Sequence, residues 1–458
     1  MFKKILVANR GEIAVRIMRA CRELGISTVG IYSTADKNSF HRYLATESIC
    51  VGGSKSADSY LNVQNILSAA INMGCDAIHP GFGFLSENPS FAKMVTECGI
   101  TFIGPEAETI EMMGNKAKAR ELMIANQVPV VPGSEGPVIS PEEAVLVAQE
   151  IGYPVLIKAS AGGGGRGMRR ADRAEELKEA YEAARAEARA AFGNDEVYIE
   201  KLIENPKHIE FQILADKLGN VIHLGERDCS IQRNHQKLLE ETPSKVLSKE
   251  QREEMGEISV RAAKACNYVG AGTIEYVLDQ KGNFYFIEMN TRIQVEHPIT
   301  EMVTGIDLVK EQIRVAADLP LAIKDQDDVM IQGHAIECRI NAEDPENGFA
   351  PCPGKIETLY LPGGFGVRVD TAVYAGYEVS PFYDSMIAKI IVHGKSRLEA
   401  IHRMRRALEE LIIDGVVTNL DLQYLILYNE EFLKGNYDTS FIEKNLEGIL
   451  AVNNGTVI

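Results

Sequence analysis

An α/β unit on a parallel sheet, then a small lid unit, then α+β structure, is the architecture this sequence predicts. Three observations lead there. Strand-like and helix-like segments alternate through the first 114 residues; a glycine run follows the segment YPVLIKAS; and beyond residue 205 several segments alternate apolar and polar residues. Strands alternating with helices imply a parallel sheet with crossover helices, and a period of two implies half-buried antiparallel strands. The expected units are residues 1–114, 115–204 and 205–446, with a tail at 447–458.

In the first unit KKILVAN reads as a strand, EIAVRIMRACRELG as a helix ending in glycine, STVGIYS as a strand and YLNVQNILSAAINMG as a helix. CDAIHPG follows as a strand running into a loop, and PSFAKMVTECG as a helix. The second unit opens with a helix over residues 115–126 and the Pro- and Gly-rich loop PVVPGSEGPVIS. It continues with the strand YPVLIKAS, the helix RAEELKEAYEAARAEARAAF and the strand VYIEKLI. In the third, HIEFQILAD, GNVIHLGERD, GTIEYVLD and GNFYFIEMN are strands. Ile401, Met404, Leu408, Leu411 and Ile412 form the core stripe of a late helix.

The chain has 458 residues, 45% hydrophobic and 25% charged, enough to bury a core without staples. A net charge of -17 argues against nucleic-acid or anionic-membrane partners, and requires a local positive island for any anionic substrate. The 8 cysteines include no CxxC pair, which predicts reduced thiols and no zinc centre. The apolar stretch near the N-terminus breaks at Asn9, too early for a signal peptide, and no apolar run is long enough to span a membrane. A cytoplasmic location is expected.

Glycine allows backbone amides to approach phosphate oxygens, so IKASAGGGGRGM reads either as a phosphate flap or as a plain surface loop. It lacks the Gly-Lys-Ser/Thr of a P-loop and the spacing of a dinucleotide fingerprint. Lys158 ends the preceding strand, where its ammonium could reach a phosphate.

The segment FYFIEMNTRIQVEH carries Glu288, Asn290, Arg292, Gln294 and Glu296 at a period of two, which in one extended strand puts them on one face. A solvated edge strand would alternate similarly. However, Phe284 and Phe286 would continue that face, and the set combines carboxylates, amides and a central guanidinium. With the hairpin turn centred on Lys281-Gly282, Leu278 faces Tyr285, Tyr276 faces Ile287 and Glu275 faces Glu288. Opposed carboxylates repel unless a cation lies between them. Glu275, Glu288 and Asn290 offer only oxygens, which suits Mg²⁺ or Mn²⁺.

These residues, together with ILVANRGEIAVRI, IHPGFGFLSEN, IKASAGGGGRGMR, ERDCSIQRNHQK, FIEMNTRIQVEHPITEMVTGIDLVKEQI and GHAIECRINAEDP, resemble the biotin carboxylases. The similarity runs from Phe2 to about residue 446 and is greatest to the free-standing subunit of bacterial acetyl-CoA carboxylases. It implies an ATP-grasp fold and ATP-dependent carboxylation of biotin by bicarbonate through carboxyphosphate.

The resemblance also implies residue roles. Lys116, Lys158, His208, Gly164, Gly165, Met168, Gln232 and His235 are expected to contact ATP. Glu200, Lys201, Leu202 and Ile203 are expected to line the adenine. Glu275, Glu288 and Asn290 would hold the metal; Lys237, Arg292, Gln294 and Val295 the bicarbonate. Glu296 would be the base and Arg339 would face the biotin ureido group. Ala161 and Phe82 stand where many members have glycine and tyrosine, and the hairpin loop is one residue longer than in some members. No Met-Lys-Met context occurs, so biotin is expected in trans on a biotin carboxyl carrier protein, with carboxyltransferase subunits and a second copy of this chain as partners. Acetyl-CoA is the expected final acceptor; pyruvate and propionyl-CoA are the alternatives. The rival classes are another ATP-grasp ligase acting on an amine, and an inactive nucleotide-binding regulator.

Overall fold

The computed structural model describes residues 1–160, 168–323 and 325–453. The predicted flap, Gly164 and Gly165 included, lies outside the described residues.

Five parallel strands open the chain: β1 (Lys4–Val7), β2 (Ser27–Ser33), β3 (Glu47–Gly52), β4 (Ala77–His79) and β5 (Thr101–Phe102), in the order β3-β2-β1-β4-β5. Both faces of β1 are apolar. Ile5 and Val7 pack with Ile13 and Ile17 of the helix Gly11–Glu23, while Leu6 packs with Val29, Ile31 and Ile66. Burying an aliphatic side chain contributes about 1.5–3 kcal/mol, which explains why this all-apolar layer forms. The reading missed β3, whose edge position leaves it half exposed, β5 with its two residues, and the helix Ala107–Gly114.

A second sheet has three antiparallel strands, β6 (Val155–Ala159), β7 (Met168–Ala171) and β8 (Val197–Lys201), ordered β7-β6-β8. It packs against the predicted helix, Ala174–Phe192, and against an unpredicted one, Pro141–Ile151, capped by Ser140.

The largest sheet has eight antiparallel strands. In spatial order they are β13 (Phe284–Asn290), β12 (Gly270–Leu278), β9 (Lys207–Ala215), β10 (Val221–Arg233), β11 (Gln236–Thr242), β14 (His334–Asn341), Met386–Gly394 and Val367–Thr371. One face is apolar. Ile209, Phe211, Ile274, Tyr276 and Met289 meet Met255 and Ala262 of the helix Lys249–Ala265; Cys338, Ile340 and Ile390 meet Met404 and Leu408 of the helix Arg397–Glu410. Ile412, expected in that stripe, instead begins a short strand and is 46% exposed. β10 shifts register between His223 and Glu226, where Gly225 has φ +82° and a Cβ would lie 2.5 Å from Ile331.

The other face carries charge. Register pairs Glu288 with Glu275, Glu275 with Glu210, and Glu210 with Arg227. Further across it pairs Glu240 with Glu337, Arg339 with Lys389, and Lys389 with Asp370. All of these except Glu288 are buried. All eight cysteines are free, and no described helix is long and apolar enough to cross a membrane.

Candidate functional site

The hairpin β12–β13 positions the acidic part of the site, but not as predicted. Its turn is centred on Lys281, so Leu278 faces Phe284 and Tyr276 faces Phe286; the expected partners Tyr285 and Ile287 are each off by one. Ile287 is the extra residue of a bulge, and beyond it Glu275 faces Glu288 as predicted. The bulge also flips the pleat. Phe284 and Phe286 therefore join Met289 in the apolar core and do not continue the face of Glu288.

The predicted ladder is not one strand either. β13 ends at Asn290, and residues 291–296 run irregularly into the helix His297–Thr304, of which Glu296 is the N-cap. Side chains from this loop still converge on Glu275. Its Oε1 accepts from Gln294 Nε2 at 2.7 Å, Asn290 Nδ2 at 2.8 Å and Lys237 Nζ at 3.1 Å, and its Oε2 lies 2.9 Å from His208 Nε2. Burial alone would raise the Glu275 carboxyl, but Lys237 and His208 hold it well below the usual range.

Lys237 is a hub. Its ammonium reaches Glu210 at 2.5 Å and Glu296 at 2.6 Å besides Glu275. Three carboxylates overcome the effect of burial and raise it well above an ordinary lysine. Glu296, 2% exposed, also accepts from Arg339 Nη2 at 3.0 Å. Burial opposes its charge, yet Lys237, Arg339 and Arg227 hold it ionised and well below the usual carboxylate range. Arg339 in turn is held by Glu240 through Nε at 2.6 Å. Burial raises Glu240 to about 7 despite Arg339.

Arg292 donates to Glu87 at 2.8 Å and to Asn290 Oδ1 at 3.0 Å, which ties the loop to the N-terminal unit. Its Nε thus already meets a carboxylate, the class of group that a carboxyl-bearing anion would present to it. Val295 sends its carbonyl to Lys389 at 2.8 Å.

A second cluster lies toward the small sheet. Lys116 is the first residue of the helix Lys116–Ala125, capped by Asn115. A cation is disfavoured at that positive helix end, and Glu288 compensates it at 2.9 Å. Lys158, at the end of β6, reaches Glu200 at 2.5 Å, and Arg120 approaches the same carboxylate at 3.4 Å. Met168 faces Lys158 in the ladder. Lys201 donates to the carbonyls of Gly152 and Tyr153, and Leu202 and Ile203 follow, half-buried, between β8 and β9. Gln232 is buried opposite Lys237, whereas His235 is exposed at the β10–β11 turn with φ +64°, apart from the hydrogen-bonded cluster.

Glu275, Glu288 and Asn290 fit a hard divalent cation by donor chemistry: two opposed carboxylates and an amide, with Lys237 facing Glu275 and Lys116 facing Glu288. Sequence reasoning missed Glu87, Glu210, Arg227, Glu240 and Lys389. Glu210 had a signal, since it alternates with His208 and Gln212 in an otherwise apolar strand.

Comparison with known proteins fits this geometry. Residues 1–110 match the family model described as the biotin carboxylase N-terminal domain, 115–324 the carbamoyl-phosphate synthase L chain ATP binding domain, and 337–444 the biotin carboxylase C-terminal domain. The chain is 57% identical to biotin carboxylase 1 of Bacillus subtilis, over 97% of this chain and 98% of that one. It is 55% identical to a pyruvate carboxylase subunit of Methanothermobacter thermautotrophicus, over 98% and 91%. The biotin carboxylase domain dimer of Hydrogenobacter thermophilus 2-oxoglutarate carboxylase, solved with MgADP, ADP and bicarbonate, superposes with a TM-score of 0.93 at 55% identity, over 98% and 99%.

Proposed function

The chain belongs to the biotin carboxylase family, an ATP-dependent ligase acting with Mg²⁺ and bicarbonate on biotin, and on that premise we propose how its residues divide the work. The observation that carries the proposal is the buried Glu296 carboxylate, gripped between Lys237 and Arg339.

Bicarbonate becomes a useful nucleophile on losing its proton. Glu296, ionised in the resting site, takes that proton; its basicity rises as Lys237 and Arg339 turn from it to the substrates. Arg292, Gln294 and the Val295 backbone hold the carboxyl oxygens, and Lys237 adds charge. Lys116, Lys158 and His208 orient the phosphates, Met168, Gln232 and His235 add further ATP contacts, and Glu200, Lys201, Leu202 and Ile203 line the adenine. Glu275, Glu288 and Asn290 would hold Mg²⁺, which would supply charge to neutralise the ATP phosphates. Attack on the γ-phosphorus releases ADP and gives carboxyphosphate, which breaks to CO₂ and phosphate. The phosphate takes the ureido N–H proton of biotin, and the nitrogen attacks CO₂. Arg339 stabilises the developing ureido oxyanion and is no base, since guanidinium stays protonated.

Biotin is proposed to arrive on a separate carrier protein, with carboxyltransferase subunits taking the product and two copies of this chain pairing. Support comes from the overlap with 98% of the length of B. subtilis biotin carboxylase 1 and from the dimeric H. thermophilus neighbour. Acetyl-CoA is the proposed acceptor; relatives named for pyruvate and 2-oxoglutarate are nearly as similar, and they make pyruvate the specific alternative. The test is ADP release with Mg·ATP, with and without bicarbonate and free biotin. Release that requires bicarbonate and rises with biotin is the expected result; release indifferent to both would move the site to another ligase chemistry.

A further inference from the structure

The segment that carries Gln294, Val295 and Glu296 belongs to no strand, so its backbone is fixed by something other than a ladder. Three successive carbonyls are tied by side chains. Arg292 Nη1 donates to the Ile293 carbonyl at 3.2 Å, His297 Nδ1 lies 2.7 Å from that of Gln294, and Lys389 Nζ donates to that of Val295 at 2.8 Å. A carbonyl only accepts, so His297 carries its proton on Nδ1; burial and three nearby cations keep the ring neutral.

In a trans peptide the N–H of the next residue points opposite to the carbonyl. Tying back the Gln294 and Val295 carbonyls therefore turns the Val295 and Glu296 N–H groups the other way. Among the described residues neither N–H meets an acceptor. Adjacent free N–H groups are the donors from which anion-binding concavities are built, and this segment also carries the Glu296 carboxylate that meets the Lys237 ammonium at 2.6 Å.

Lys389 is 0% exposed, on the strand Met386–Gly394 beside Arg339. Its ammonium lies 3.1 Å from Glu12 of the first helix, whose carboxylate makes no well-aligned hydrogen bond. Glu337 and Asp370 are its other acidic neighbours, and Asp370 is already paired with Arg368. A buried ion of this kind costs more than an apolar side chain of similar volume, so its worth lies in where it points.

We propose that Lys389, anchored on Glu12, is a positioning residue for the bicarbonate step: it holds the Val295 carbonyl so that the Val295–Glu296 peptide turns its N–H to the anion. The inference rests on the bicarbonate reading above and adds the device that sets its backbone.

The experiment compares wild type with Lys389→Met, Glu12→Gln and the double variant in ADP release, varying bicarbonate and ATP separately, with a melting temperature for each. Removing one buried partner leaves the other unpaired and destabilises; removing both restores stability but leaves the Val295 carbonyl without its donor. Lys389→Met and the double variant should lose about tenfold in kcat/KM for bicarbonate while KM for ATP stays within about twofold. Glu12→Gln, which keeps the ammonium but loosens its anchor, should lose about two- to threefold in bicarbonate alone. A double variant with wild-type bicarbonate kinetics, or equal losses toward ATP and bicarbonate, would overturn the proposal. Wild type whose ADP release ignores bicarbonate would instead sink the functional reading beneath it.

Discussion

β1 of the parallel sheet and β9 of the eight-stranded sheet are both buried, with different side chains. In β1, Ile5, Leu6 and Val7 are inaccessible and apolar on both faces. In β9, Ile209, Phe211 and Ile213 fill one face while Glu210 and Gln212, equally inaccessible, occupy the other. The first arrangement stabilises by removing apolar surface from water. The second costs several kcal/mol per ion unless each charge is paired, and here Glu210 is paired by Arg227 and Lys237 at 2.5 Å each. The difference teaches that stability and chemistry are carried by different layers. A variant in one should leave the other's property nearly intact.

The sharpest test is Glu296→Gln. It should cut bicarbonate-dependent ADP release by about 10²–10⁴-fold, the usual worth of a general base. The fold should survive, because Lys237 keeps Glu210 and Glu275 and Arg339 keeps Glu240. Unfolding at the temperature of the assay would mean that the charged face also carries the fold. Arg339→Ser comes next: biotin carboxylation should fall about 10²-fold while some bicarbonate-dependent ADP release persists, and parallel loss of both would place Arg339 in the earlier step. Ile5→Ala inverts the pattern, costing about 2–5 kcal/mol in chemical denaturation with kcat unchanged.

The smallest effect is electrostatic and lies within the N-terminal layer. Burial alone would raise the Asp36 carboxyl, but Arg10 and the Tyr60 hydroxyl, both at 2.6 Å, hold it at about 2. A carboxyl depressed in the folded state adds stability above its unfolded pKa and loses it as pH falls through the folded value. Asp36→Asn should therefore be less stable than wild type by about 2 kcal/mol at pH 6, with the gap closing between about pH 4 and pH 2. An unchanged gap in urea titrations at both ends would remove Asp36 from that account.

The parallel layer was legible because its periodicity and its burial agree: STVGIYS is strand β2 to the residue. The charged layer was legible in composition but not in geometry. Glu288, Asn290, Arg292, Gln294 and Glu296 were found by alternation and Glu275 by the hairpin register, yet only Glu275, Glu288 and Asn290 lie in strands; the other three sit in a loop. Glu87, Glu240 and Lys389 were invisible because their partners are 205, 99 and 94 residues away, and spacing along the chain carries no record of such meetings. Glu275 was correctly set opposite Glu288 by two offsets that cancel, a turn centre shifted by half a residue and a bulge that the sequence left open.

The bulge at Ile287 divides the hairpin into two sectors with separate registers. One hairpin therefore serves two layers: its outer sector sets Tyr276, Phe284 and Phe286 in the core, while its inner sector keeps Glu275 opposite Glu288 on the charged face. An even pleat would have to give up one or the other, so the extra residue is what lets a single turn supply both.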